Sequence, residues 1–200
     1  MSSGWQPSSA EAPAEAARPA TSVRGGAGAV FGHAFAVAMA LAGGVLGIVG
    51  AAIGEPRAGG FILLPILGAP IIEEMLKPTG VYILLARWPR LLRGRLHIAS
   101  LSALAGLSFG VIEALVYIFV YVPDAPDWFV TYRLTLPLAF HAFASFIVGL
   151  GISPALLAWA KDGAPFPKSS MRFYVTAIAL HAAFNLVATI LVFAGYFDVD

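Results

Sequence analysis

Residues 61–86 read FILLPILGAPIIEEMLKPTGVYILLA, and this stretch decides the fold. It is long and apolar enough to cross roughly 30 Å of hydrocarbon at about 1.5 Å per residue. Yet it carries Glu73, Glu74 and Lys77 near its middle. A charged side chain at the bilayer centre costs about 3 kcal/mol on insertion scales. Three such groups so close together imply that the segment faces a polar interior built by other segments of the same chain. Glu73 and Lys77, four residues apart, share a helix face and partly neutralise each other. Glu74 is turned about 100° away, so the two carboxylates have separate roles. Pro65, Pro70 and Pro78 make this the least regular apolar stretch: Pro70 is placed to open a helix and Pro78 to bend one.

Outward from there, the rest of the chain agrees. Of 200 residues 59% are hydrophobic and only 12% charged, with a mean hydropathy of +0.83. Soluble domains carry about twice that charged fraction. Four further stretches, 28–53, 98–122, 133–160 and 173–196, are long enough to span. Backbone groups in lipid must be satisfied internally, so the spans are helices. The expected fold is all-α, a multi-pass transmembrane bundle of about five spans in a cell membrane. Residues 1–27, rich in Ala, Pro, Ser and Gly, read as a disordered tail, and 28–200 as one transmembrane helical domain. The apolar stretch from residue 28 exceeds a signal-peptide core, so no cleavage is expected.

Charge placement gives an orientation. Arg87, Arg90, Arg93 and Arg95 fill one loop, Lys161, Lys168 and Arg172 another, and Arg18 and Arg24 lie in the tail. Arg57 and Arg133 are the exceptions on the opposite side, which also holds Asp124, Asp127, Asp198 and Asp200. The positive-inside rule then puts the N-terminus in the cytoplasm and the C-terminus outside. A net charge of +1 says nothing about nucleic acid, but no basic stretch has the interleaved aromatics of a single-strand binder, and no nucleic-acid partner is expected. The chain has no cysteine, so thiol nucleophiles and thiolate metal sites are excluded.

Three other spans carry ionisable groups: Glu113, His141 and His181, the last with Asn185 four residues on. Measured from the outer helix ends at ~1.5 Å per residue, Glu73 lies ~18 Å deep, Glu113 ~14 Å, His141 ~12 Å, Asn185 ~17 Å and His181 ~23 Å. Four helices thus bring polar groups to one level. A carboxylate beside histidines in a dry pocket can activate water as a general base. Asn185 can donate to a developing oxyanion and Lys77 can hold the glutamate pair. Arg133, eight residues before His141, either anchors at the interface or reaches into the site. No Ser or Thr is spaced to be a nucleophile, and Ser145 reads as a packing residue. Zinc is a further candidate, at Glu113, His141 and His181, with a position left for water. The short zinc-peptidase signature of two histidines flanking a glutamate is absent. His33 reads as structural and His97 as solvated. A proton- or ion-coupled transporter would gather the same residue types, and a non-catalytic scaffold or receptor would keep them for assembly.

Four motifs in order resemble a known family: Glu73-Glu74-Met-Leu-Lys77, Phe109-Gly-Val-Ile-Glu113, Arg133 with His141, and His181-Ala-Ala-Phe-Asn185. Together, over about residues 60–196, they look like the PrsW intramembrane proteases, which are grouped with the CAAX prenyl endopeptidases and the Aph subunit of gamma-secretase. The resemblance implies an intramembrane endopeptidase acting on a membrane-embedded protein, such as an anti-sigma factor. It implies Glu73 and Glu74 as the catalytic pair, completed by Glu113, His141 and His181. Glutamic and metallo-type chemistry both stay open. The chain departs from the family in being short, and in having an arginine run where acidic residues are expected before the third helix.

Overall fold

The computed structural model describes residues 26–54 and 64–195. The tail expected over 1–27 lies almost entirely outside the described residues, as do Arg18, Arg24, Arg57 and the terminal aspartates. Every regular element described is helical. Helix α1 spans Gly26–Gly54. A π-helical turn, Leu64–Gly68, leads into α2, Ala69–Leu76, and α3 covers Thr79–Arg87. Helix α4, Arg95–Val116, runs on through a second π turn, Tyr117–Tyr121. Then come α5, Asp127–Arg133, α6, Leu136–Gly151, α7, Pro154–Asp162, and α8, Lys168–Phe193.

Among the described residues four stretches are long and apolar enough to cross a membrane as helix: Gly28–Ala52, Arg95–Tyr121, Asp127–Gly151 and Lys168–Phe193. The stretch 61–86 is instead broken, and Pro78 is the cause. It has no N–H to give the helix ladder, and its backbone turns to φ −79°, ψ 15°. Helix α2 closes through the Lys77 N–H donating to the Glu73 carbonyl at 2.8 Å, and α3 starts one residue beyond Pro78.

The fourth stretch differs from its expected bounds of 133–160. Its helix begins earlier, at Asp127, pauses at Leu134 and Thr135, and ends at Gly151. Pro154 forces Ser153 out of the helical region, to φ −151°, ψ 163°. Helix α7 is therefore a separate short element.

The helix ends sort into two sets. His33 of α1 stacks on His97 of α4, Phe35 meets Trp88 past the end of α3, and the Arg95 guanidinium donates to the Leu150 carbonyl of α6 and lies over Phe173 of α8. One end of the bundle thus holds the starts of α1, α4 and α8 with the ends of α3 and α6, and it gathers the arginine-rich loop. Ala36, Ala40, Val81, Leu84, Leu101, Ala144, Val148 and Ala177 form the apolar core nearer that end. Small residues let the backbones close: a Cβ on Gly106 of α4 would collide with the His141 carbonyl and with Ser145 of α6. Outward-facing Phe31, Leu46, Val49, Phe119, Phe143, Val187 and Phe193 are exposed, as lipid-facing positions require.

Candidate active site

The turn of α2 before Pro78 sets the site. Glu73, Glu74 and Lys77 fall on its buried side, and Lys77 and Glu74 are fully enclosed. The Lys77 ammonium stands 2.9 Å from Glu73 Oε2 and 2.7 Å from Glu74 Oε1, so it bridges the two carboxylates. It also reaches across to α6, 2.8 Å from His141 Nδ1, and lies 4.5 Å from the centre of the Phe109 ring of α4. Lysine has only protons to give. His141 Nδ1 must therefore be the acceptor.

That assignment propagates. A neutral imidazole accepting at Nδ1 carries its proton on Nε2, and His141 Nε2 lies 2.6 Å from Glu113 Oε2. The Glu113 carboxylate is gripped in turn by Arg133, whose Nη2 is 3.2 Å away and whose guanidinium lies 3.7 Å over the Tyr117 ring. Of the two sequence readings for Arg133, the structure takes the one that reaches inward. Four residues separate Glu113 from Tyr117, so one face of α4 supplies both.

The second histidine repeats the device. His181 of α8 donates from Nδ1 to Glu74 Oε1 at 2.9 Å. Its Nε2 then faces Glu73 Oε2 at 3.9 Å, while His141 Nδ1 faces the same oxygen at 4.0 Å. The two imidazoles meet nearly edge to face, 5.2 Å between centroids. Glu73, His141 and His181, all buried, thus converge with one donor atom each within 4.8 Å of one another.

This donor set fits a divalent metal. Two imidazole nitrogens and one carboxylate oxygen are a zinc-type combination. Bonds of about 2.0–2.2 Å put tetrahedral ligand atoms about 3.4 Å apart, so the two spacings from Glu73 Oε2, 3.9 and 4.0 Å, need to close by only a fraction of an ångström. Glu73 Oε2 is buried, faces both histidines and already pairs with the Lys77 ammonium at 2.9 Å, so it sits where a cation is held. Each histidine has an outer carboxylate that fixes its tautomer, the arrangement that metal-holding histidines need. The sequence pointed to Glu113 as the carboxylate of the metal set. The structure instead puts Glu113 behind His141, on the nitrogen facing away, and brings Glu73 to the inner side.

A cavity of about 450 Å³ adjoins the cluster. Glu73 and Glu113 form its polar floor, and Arg133 and Asn185 stand in its wall. Phe109, Tyr117, Tyr121, Phe129, Tyr132 and Phe184 make the rest largely aromatic, with Ala51, Ala52, Ala69 and Ala188 leaving space. The C-terminal halves of α1, α4 and α8 line it together with α2, the π turn Tyr117–Tyr121 and α5, so the cavity lies toward the end of the bundle opposite the arginine loop. Asn185 is one turn beyond His181 on this wall. The sequence reading missed Tyr117, Tyr121 and Tyr132. The four-residue steps from Glu113 through Tyr117 to Tyr121 were the available signal. Ser145 is fully buried against Gly106 and away from the cavity lining. His33 and His97 stack on each other at 5.5 Å near the basic end, apart from the site.

Residues 23–198 match the profile of the PrsW-protease family, described as PrsW family intramembrane metalloprotease. No curated protein and no solved structure gives a significant match. The family match covers nearly the whole chain, and the chain belongs to this family of intramembrane metalloproteases.

Proposed function

We propose that this member of the PrsW family hydrolyses a peptide bond of a membrane-embedded protein at the floor of the aromatic cavity, using Glu73, His141 and His181 to hold a catalytic metal. The observation that carries the reading is the convergence of one oxygen and two lone-pair nitrogens beside a cavity, each histidine braced by its own carboxylate. Zinc is the metal the donor set suits best. When bound, such a cation supplies Lewis acidity toward a carbonyl and makes water a better nucleophile at neutral pH.

The protein's own groups do the remaining work. Glu74 keeps the His181 proton on Nδ1, and Glu113 keeps the His141 proton on Nε2, so both inner nitrogens keep their lone pairs. Glu113 also borders the cavity and lies outside the donor set. Its second oxygen is the group suited to take the proton of the attacking water and return it to the leaving amine. Asn185, in the cavity wall, is suited to donate to the developing oxyanion. The aromatic lining gives this floor largely apolar surroundings, in which each of these interactions is screened less than in water.

A substrate must present an unwound backbone to this floor, because the peptide groups of an intact helix are bonded to one another. A membrane-anchored protein such as an anti-sigma factor suits that requirement. The proposed setting is a cell membrane, with the N-terminal side cytoplasmic and the cavity toward the outer face. The test is cleavage of a co-expressed membrane substrate by the full chain. Glu73→Gln is expected to abolish cleavage and to remove about one zinc per chain by elemental analysis, while the protein stays folded in detergent. Cleavage that persists in Glu73→Gln or in strong chelator would sink the metal reading.

A further inference from the structure

We infer that Lys77 is a resident cation: its ammonium and a divalent metal compete for the centre of the site, so that lysine holds the cluster together when metal is absent. The inference rests on Glu73, His141 and His181 being the metal donors.

One lone pair is contested. In its neutral form His141 has a single accepting nitrogen. That nitrogen is Nδ1, because Nε2 is committed to Glu113 at 2.6 Å. Lys77 already uses it, at 2.8 Å, and the same ammonium lies 2.9 Å from Glu73 Oε2. These two atoms are 4.0 Å apart. A metal at about 2.0–2.2 Å from both would lie within about 3 Å of the ammonium with these atoms in place, and within about 4 Å once they close to a tetrahedral spacing, whichever side of the line it occupied. Two cations cannot share that distance in a dry interior, where repulsion is screened far less than in water.

The structure also provides for the ammonium once it yields. Lys77 is fully buried, so it has to turn within the protein rather than leave for solvent. Glu74 Oε1 is already 2.7 Å away, Glu74 Oε2 is buried with no hydrogen bond, and the Phe109 ring faces the ammonium at 4.5 Å. A rotation of the lysine end keeps it on Glu74 and the ring while releasing His141 and Glu73. Before that exchange the ammonium offsets two buried carboxylates, which would otherwise pay the cost of uncompensated charge.

The experiment is a zinc titration of the purified full chain in detergent, with thermal melting of metal-free and zinc-loaded protein. Lys77→Met is expected to bind zinc at least tenfold more tightly than wild type. Its metal-free form is expected to melt lower, with a larger zinc-induced rise. Lys77→Arg, which keeps a cation in place, is expected to bind no more tightly than wild type. Equal or weaker zinc binding by Lys77→Met would overturn the inference. So would an equal gain from Arg133→Gln, which removes a nearby positive charge without vacating His141 Nδ1. If Lys77→Met folds only with zinc, its unfolding on chelation is the expected behaviour, and survival of the zinc-free form at wild-type stability counts against the idea. His181→Ala separates the two readings: zinc affinity unchanged in that variant means the donor set itself is wrong.

Discussion

The two histidines carry the same attachment and sit in opposite surroundings. His181 leans on Glu74, and both are sealed, at 2% and 0% exposure. His141 leans on Glu113, whose side chain is 21% exposed and forms part of the cavity floor with Arg133 beside it. One carboxylate–imidazole pair is closed and the other opens onto the space where a substrate would lie. Burial decides what the same chemistry is suited to do. A sealed carboxylate can only hold its imidazole in place, whereas one that borders a cavity can also exchange a proton with what enters. The two carboxylate–imidazole pairs are thus alike in their bonding and unlike in their access to the cavity.

The sharpest way to break this comparison is Glu113→Gln. The amide can still meet His141 but cannot take up a proton, so cleavage is expected to fall by about 10²–10⁴-fold with zinc content retained. Parallel loss of zinc would show that the two arms play the same part. Glu74→Gln comes next. Loss of an outer-shell carboxylate costs about 10–100-fold in metal affinity, so cleavage should drop and recover in excess zinc. A drop that excess zinc leaves uncorrected would mean Glu74 has a role in the chemistry. The smallest effect belongs to Arg133→Lys. Lysine keeps the charge beside Glu113 but loses the planar stacking on Tyr117. A decrease of less than about tenfold in kcat/KM is expected, since the pair is partly exposed and worth on the order of 1 kcal/mol. A loss as large as that of Glu113→Gln would make Arg133 a direct participant.

Much of this site was legible along the chain, because local spacing is a property of the helix alone. The Glu73–Lys77 step and the rotation of Glu74 both appear as read, and α2 shows each with its own partners. The depth count brought the residues of α2, α4, α6 and α8 to a common level. What could not be read was which side of each histidine faces inward. That depends on helix rotations set by packing, such as the contact of Gly106 with α6, and it is what brings Glu73 rather than Glu113 into one group with the two histidines. The contact of Lys77 with His141 joins residues 64 apart, and no local rule reaches that far. The boundary shift at Ser153 is different in kind: Pro154 announced it, and the long apolar run concealed it.

Gly106 sets the spacing of reactive groups without being one. It has no side chain, forms no part of the cavity lining, and would pass unnoticed in any inventory of reactive groups. Yet the His141 backbone rests against it, so the space it leaves empty fixes how deep that imidazole sits. An added methyl would push α6 outward by a fraction of an ångström at the level of His141, the scale on which the donor spacing is set. Gly106→Ala would keep every acidic and basic residue and disturb their alignment.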